Sequence, residues 1–166
     1  MKISVAGDWG TGTDEARIVA AAMGKSDADF TIHLGDVYYV GDANEVRENF
    51  LGEKTSPYAP VEWPTGAKGS FALNGNHEMH ADGNGYWRMV LPRMGLKERD
   101  SEWGAGQWAS FFRLENKHWR IIGLDTATIP LVLNGTKCRC YSEANGFARR
   151  HRSSRSAPFP SRCSPG

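Results

Sequence analysis

The sequence predicts an α/β fold built around a parallel sheet, and three similar stretches support this prediction. Residues 3–8, 31–36 and 73–78 have the sequences ISVAGD, TIHLGD and LNGNHE. Each passes from apolar or β-branched residues into a glycine and then an oxygen-bearing side chain, and runs that stop in this way are typical of strands. A helical pattern separates the first two stretches, which is the order of a βαβ unit.

The pattern between the first two strands predicts one helix. Thr13 is expected at its N-cap, with acidic side chains in the first turn. Small and apolar side chains recur at helical spacing, at Ala16, Val19, Ala20 and Met23. This helix would connect the first two strands by a crossover.

The stretch up to the third strand is predicted to be mostly irregular. A short helix is expected from about Asn44 to Leu51. Residues 52–69 contain three prolines together with glycines, and we interpret them as a long surface loop. The third strand is predicted at residues 70–73.

Two further patterns follow the third strand. Residues 85–95 predict a helix that is broken at Pro92. Residues 107–125 form two apolar runs on either side of residues 115–117, which indicates a β-hairpin. We expect a second, antiparallel part of the sheet to begin there.

The sequence changes character after Thr128. From residue 137 onward seven Lys or Arg residues stand against one acidic residue, in a segment rich in Ser, Pro and Gly. Such a segment buries too little apolar surface to order itself. We therefore predict a partial α/β domain over residues 1–128. Residues 129–166 would be a basic low-complexity tail, either disordered or the product of a shifted reading frame.

The cysteines and the apolar runs bear on location. All three cysteines, Cys138, Cys140 and Cys163, lie in the predicted tail, so no disulfide framework is expected in the domain. A zinc cluster that adds His151 is disfavoured, because the spacing matches no familiar finger. No signal peptide or transmembrane run is evident, so a cytoplasmic location is the default expectation and no membrane partner is expected.

Three oxygen-bearing side chains point to a cation site. If the three strands are parallel, Asp8, Asp36 and Asn76 emerge at one carboxyl edge of the sheet. Carboxylate and amide oxygens are ligands for hard cations. One such turn alone would be structural, since Asp and Asn are ordinary turn residues. Three turns of one design, the last followed by His-Glu, favour a metal site.

The motifs GDWG (7–10), GDVYY (35–39) and GNHE (75–78) occur in this order and resemble the calcineurin-like metallophosphoesterase superfamily. The likeness spans residues 2–126 and is strongest to the purple acid phosphatase branch. It implies a layered α/β/β/α sheet with flanking helices, of which this chain would hold the incomplete N-terminal half, followed by the irregular tail. It also implies phosphate ester hydrolysis by a hydroxide held between two metal ions.

The resemblance assigns metal ligands. Asp8 and Tyr39 would bind the first metal, Asp36 would bridge both metals, and Asn76 would bind the second. A tyrosinate suits Fe(III), so the expected pair is iron with zinc, manganese or a second iron.

The resemblance also assigns two neighbouring residues. His77 would be the catalytic histidine beside the phosphate, and Glu78 would orient His77 or its loop. The family completes its site with three histidines from the second half of the domain, in an apolar-x-x-His and a Gly-His-x-His motif. After Asn76 this sequence has only His77, His80, His118 and His151, and none of them stands in the context of either motif. We therefore expect the chain to bind metal weakly and to turn over substrate poorly.

Two alternatives remain open. The chain could be a non-catalytic module that holds a metal ion or phosphate while the basic tail contacts a polyanion, which is the one route to a nucleic-acid partner. A nucleotide cradle at GDWGTGT (7–13) is disfavoured, because it lacks the P-loop lysine and the dinucleotide-binding spacing. The expected partner is a phosphate ester substrate, and the sequence does not indicate an oligomeric state.

Overall fold

The computed structural model describes residues 1–10, 13–53, 61–97 and 106–128, and the backbone of residues 132–133 and 136–137. The chain divides into two compact units, Met1–Thr128 and Ile129–Gly166.

The first unit contains a four-stranded sheet. Its strands are β1 (Ile3–Ala6), β2 (Phe30–His33), β3 (Gly69–Ala72) and β4 (Gly95–Leu96), in that spatial order. The first three are parallel, and β4 is antiparallel to β3. The predicted α/β class is confirmed, and β4 is a strand that the sequence patterns did not indicate.

The crossover from β1 to β2 is helix α1 (Asp14–Lys25), as predicted, with Thr13 at the N-cap position. Ala16 and Met23 are buried, as the helical spacing suggests, but Val19 is 41% exposed. The buried face of α1 therefore includes fewer residues than the apolar spacing in the sequence predicts.

The predicted short helix is present as two consecutive turns, α2 (Ala43–Glu45) and the π-helical α3 (Val46–Phe50). A capping box starts it, in which the Asp42 side chain accepts hydrogen bonds from backbone N–H groups and the Glu45 side chain reaches back. This reciprocal cap explains why the helix begins where it does.

Three short helical segments follow β3. They are α4 (Asn76–Met79), the π-helical α5 (Tyr86–Val90) and α6 (Leu91–Arg93). The predicted break at Pro92 is wrong, because the helical path continues to Arg93. Pro92 lies in the first turn of α6, where a missing backbone N–H is tolerated.

The predicted hairpin is confirmed as β5 (Phe112–Glu115) and β6 (Arg120–Gly123), which pair antiparallel. It forms a separate two-stranded sheet among the described residues. The side chains of Phe112 and Leu114 pack with Ile32 and Phe71 on one face of the main sheet. The helices cover the opposite face, so the described layers are α/β/β.

The core on the helical side includes a side chain from the predicted surface loop. Trp63 is 2% exposed, lies 4.8 Å from Trp9 between ring centroids, and stacks on Phe50. The prediction of a surface loop is wrong for this residue. Burial of a large aromatic surface outweighs the turn-forming tendency of the prolines around it.

The second unit is described only through the antiparallel pair β7 (Val132–Leu133) and β8 (Thr136–Lys137). The remainder of the predicted tail, including the three cysteines and His151, lies outside the described residues. The assignment of residues 129–166 as a basic tail, disordered or frameshift-derived, stays a prediction.

Candidate metal centre

The turns after β1 and β2 continue the parallel pairing of those strands. The Asp8 N–H donates to the Gly35 carbonyl at 3.0 Å, and the Trp9 N–H donates to the Asp36 carbonyl at 2.7 Å. Trp9 also forms an isolated parallel bridge with Val37. Asp8 and Asp36 therefore lie on adjacent, hydrogen-bonded turns at the carboxyl edge of the sheet.

Both aspartates have a left-handed backbone conformation. The φ angles are +54° at Asp8 and +64° at Asp36, a region that costs residues other than glycine about 1–3 kcal/mol. Asp27 and Asp82 also have positive φ in exposed turns, so the conformation alone does not mark a site. At Asp8 and Asp36 it coincides with contacts between turns, which those two other aspartates lack among the contacts described.

The turns after β2 and β3 touch through two glycines. A Cβ atom on Gly35, where φ is +105°, would lie 2.3 Å from the Gly75 nitrogen. A Cβ atom on Gly75 would lie 2.0 Å from Asp36 Oδ1. A side chain at either position would separate the turns, and this explains why a glycine precedes Asp36 and Asn76 in the sequence.

The buried side chain of Glu78 connects the same two turns. Glu78 is 1% exposed. Its carboxylate accepts hydrogen bonds from the N–H groups of Asp36 at 3.0 Å, Val37 at 2.5 Å and Gly75 at 2.7 Å. One buried carboxylate thus satisfies three backbone donors from the turns after β2 and β3. We call the place where these two turns and the adjacent turn after β1 meet the site junction.

His77 joins the junction through its backbone and its ring. Its N–H donates to Asp36 Oδ1 at 2.9 Å, and its Nδ1 contacts the carbonyl oxygen of Tyr39. A carbonyl only accepts hydrogen bonds, so Nδ1 carries a proton and Nε2 is the ring nitrogen left for a ligand. The ring lies edge-on to those of Tyr38 and His80, with centroids 4.6 Å and 5.6 Å away.

The two adjacent tyrosines differ in their contacts. The Tyr38 hydroxyl donates to Asp8 Oδ1 at 2.5 Å, and this hydrogen bond, together with smaller contributions from desolvation and nearby carboxylates, raises the pKa of Tyr38 to about 12. The Tyr38 carbonyl accepts from Asn49 Nδ2 at 3.0 Å. Tyr39 is 67% exposed, and its carbonyl contacts His77. The hydroxyl beside Asp8 is therefore that of Tyr38, a residue that the motif spacing did not single out.

Asn76 opens α4 directly after Gly75 and is exposed. Its neighbour on the other side is His77, whose N–H is bound to Asp36. Asn76 is thus next to the junction in the chain, and its role as a metal ligand stays a prediction.

The third turn is also hydrogen-bonded to the segment that follows the hairpin. Asn74 Nδ2 donates to Thr128 Oγ1 at 2.9 Å, and Thr128 Oγ1 donates to Asp125 Oδ2 at 2.7 Å. Sequence patterns gave no sign of this connection, because it joins residues 54 positions apart.

A family model described as calcineurin-like phosphoesterase matches residues 1–156. The chain belongs to the calcineurin-like phosphoesterase family. The match continues through residues 129–156, which the sequence interpretation assigns to a tail. Comparison with curated proteins and with solved structures gave no match.

Membership of the calcineurin-like phosphoesterases indicates a hydrolase that acts on phosphoester bonds and, in general, a dinuclear metal site. It does not establish the purple acid phosphatase branch or the identity of the metals. None of the described helices has the length and apolar character needed to cross a membrane.

The donor set of this phosphoesterase fits part of such a metal site. Asp8, Asp36, Asn76 and a tyrosine offer oxygen ligands, which suit hard cations. Within residues 1–128, as far as they are described, no three His, Cys, Asp or Glu side chains are grouped to hold a metal ion. The described residues therefore match a hard-cation site in ligand type but do not by themselves make a complete ligand set.

Proposed function

We propose that this chain is a metal-dependent phosphoesterase of the purple acid phosphatase-like kind. Asp8, Asp36 and Asn76, with Tyr39 or its neighbour Tyr38, would hold the metal ions. The substrate would be a phosphate ester. Family membership supports the reaction class, and the junction of three turns at the sheet edge supports these residues.

One observation carries the proposal, namely the position of Asp36. Its N–H donates to Glu78, its carbonyl accepts from Trp9, and its Oδ1 accepts from the His77 N–H. Asp36 contacts the turns after both β1 and β3, and it brings a carboxylate to the place where they meet. A central carboxylate of this kind suits the role of bridging two cations, because it has two oxygens.

Bound metal ions would supply a hydroxide nucleophile at neutral pH and would neutralise charge on the phosphate. The chain's own contribution begins with His77. Its Nδ1–H is held by the Tyr39 carbonyl, which orients the ring. In the doubly protonated ring, Nε2–H would pass its proton to the leaving oxygen, and the ring would return to the neutral form with its proton on Nδ1. Glu78 keeps the start of α4, and with it His77, against the Asp36 turn.

The test of function compares two aspartates with the same backbone conformation. The protein is loaded with iron, zinc or manganese, and hydrolysis of an aryl phosphate is measured for wild type, Asp36→Asn and Asp27→Asn. Asp27 is exposed, has φ +49° and lies outside the candidate site. We expect Asp36→Asn to lose activity by at least roughly 100-fold and Asp27→Asn to keep it. Equal activity in the two variants, or hydrolysis without metal, contradicts the proposal.

A second experiment tests the finer assignment of a tyrosinate on iron. Iron-loaded protein should be coloured by tyrosinate-to-iron charge transfer. Of the two single variants Tyr39→Phe and Tyr38→Phe, one should lose this absorption band and the other should keep it. Loss in Tyr39→Phe supports the motif assignment, whereas loss in Tyr38→Phe identifies the tyrosine beside Asp8. A colourless iron-loaded wild type contradicts the purple acid phosphatase-like assignment.

The small number of ligands leads to a further part of the proposal, which is that this chain holds metal weakly. Oxygen ligands alone bind transition metals less firmly than sets that include imidazole, and the open positions fill with water. Elemental analysis after extensive dialysis should find much less than two metals per chain. Two tightly retained metals would contradict weak binding.

A further inference from the structure

His33 is the last residue of β2 and is buried among aromatic rings. It is 1% exposed. Its imidazole lies close to perpendicular to the rings of Phe50 and Trp63, with centroids 5.1 Å and 4.9 Å away. A phenylalanine would suit these surroundings without bringing polar atoms into them. The presence of an imidazole here therefore needs a reason other than packing.

The two ring nitrogens of His33 have different environments. The Gly35 N–H donates to Nδ1 at 3.2 Å. Nε2 is buried and makes no hydrogen bond in the described structure. Because a backbone N–H only donates, Nδ1 must be unprotonated, and the single proton of the neutral ring is on Nε2. Burial lowers the pKa of His33 to about 3, although the charge of Asp8 and a backbone hydrogen bond with Leu73 act in the opposite direction, and the ring is therefore neutral at ordinary pH.

An unpaired buried donor carries a free-energy cost comparable with a lost hydrogen bond. The imidazole bears this cost at Nε2, while the Gly35 N–H that Nδ1 accepts belongs to the turn that precedes Asp36. That turn has left-handed φ angles at both Gly35 and Asp36, so it needs support from its surroundings. Its position is also confined, because Gly35 touches Gly75.

We propose that His33 is a positioning residue of the candidate site, whose Nδ1 holds the Gly35 N–H and thereby fixes the turn that presents Asp36. His33 does not contact a substrate and acts through the backbone. The link from turn geometry to metal binding rests on the proposed function. The hydrogen bond itself does not.

Three variants separate positioning from packing. His33→Asn places its side-chain oxygen where Nδ1 lies and keeps an acceptor. His33→Phe fills the ring space without an acceptor. Thr31→Val is the matched control, because Thr31 is buried on the same face of β2 and bonds to Ser70 and Trp63 rather than to the turn.

The first measurement uses metal-free protein. Nitrogen-15 spectra of wild type should show His33 protonated at Nε2 and accepting at Nδ1, and a proton on Nδ1 overturns the inference without any variant. Hydrogen exchange of the Gly35 amide should accelerate roughly tenfold in His33→Phe and stay close to wild type in His33→Asn and Thr31→Val. Equal protection in His33→Phe and wild type overturns the inference, as does equal loss in His33→Asn and His33→Phe.

The second measurement titrates the same proteins with Mn²⁺. We expect His33→Phe to bind roughly tenfold more weakly than wild type and His33→Asn to bind about as well. If wild type binds no Mn²⁺, the proposed function is contradicted, while the Gly35 amide still decides the role of His33. If His33→Phe binds as tightly as wild type, the positioning role in the site is wrong.

Discussion

Glu78, beneath the candidate site, and Glu115, on the hairpin, both accept hydrogen bonds from several donors, but in different surroundings. Glu78 is 1% exposed, and its donors are three backbone N–H groups. The Glu115 side chain is 38% exposed, and its partners are the flexible side chains of Arg113 and Arg120. Water replaces lost partners at Glu115 but reaches the donors of Glu78 poorly. We infer that the site junction is held by few, well-buried contacts.

The largest expected effect is that of Glu78→Ala. Removal of the carboxylate leaves the N–H groups of Asp36, Val37 and Gly75 without their acceptor, so we expect a loss of about 3 kcal/mol in the free energy of unfolding. Urea unfolding measures it. Glu78→Gln is the control, because it keeps the shape and one acceptor oxygen and should lose about half as much. A loss below about 1 kcal/mol in Glu78→Ala would mean that water takes over the role of the carboxylate.

The next effect tests how closely the turns approach. A methyl group in Gly75→Ala would meet Asp36 Oδ1 and the Asp36 nitrogen, so we expect a loss of about 2 kcal/mol in unfolding free energy. Gly24 provides the control, because it lies in α1 and a Cβ there meets no atom within 4 Å. Gly24→Ala should raise stability by about 0.5 kcal/mol. Similar results for both alanine variants would show that the junction is looser than described.

Much of the central sheet could be predicted, because its signals are local. Strands β1, β2 and β3 each end at a turn marked by glycine and an oxygen-bearing residue, and the spacing of α1 is readable within 12 residues. Burial of Trp63 and the pairing of β4 with β3 could not be predicted in this way, since both depend on partners distant in the chain. The helical path through Pro92 depends on a π-helical turn, which has no simple sequence signature.

The candidate site was predictable in its residue types but not in its contacts. The motifs indicate the aspartates, the amide and the histidine. They do not show which of Tyr38 and Tyr39 turns its hydroxyl towards Asp8. The direction of each side chain is set by the backbone path of the turn, and the sequence motif does not specify that path. The three N–H groups on Glu78 and the bond from Gly35 to His33 likewise arise only when separate turns meet.

Over the interval from about pH 6.5 to pH 5, a smaller effect concerns acid. Burial lowers the pKa of His33 to about 3 from an ordinary value near 6.5, against the opposing charge of Asp8 and a backbone hydrogen bond with Leu73. Between these two pKa values the His33 imidazole is protonated in the unfolded chain but not in the folded chain. Stability is fully present above about pH 6.5 and falls by roughly 1 kcal/mol per pH unit as the pH drops towards 3.

The control for the acid prediction is His33→Asn, in which the side chain at position 33 no longer titrates while the other histidines are unchanged. The difference in unfolding free energy between wild type and this variant should shift steadily in favour of the variant from pH 6.5 to pH 5, above the range in which most carboxylates titrate. Parallel stability curves for the two proteins would show that His33 is hydrated in the folded state. In that case water would reach the site junction more readily than the burial of Glu78 indicates.

The smallest effect is expected at the other glutamate. Glu115→Ala breaks the exposed ion pairs with Arg113 and Arg120, and we expect a loss of about 0.5 kcal/mol or less in unfolding free energy. About 1 M NaCl should abolish this loss by screening, while the loss in Glu78→Ala should persist, because its partners are backbone N–H groups and not mobile charges. Glu115→Gln is the matched control for Glu78→Gln. A loss at Glu115 as large as that at Glu78 would mean that burial and backbone donors are not what separates the two glutamates, and the hairpin would then be as firmly held as the site.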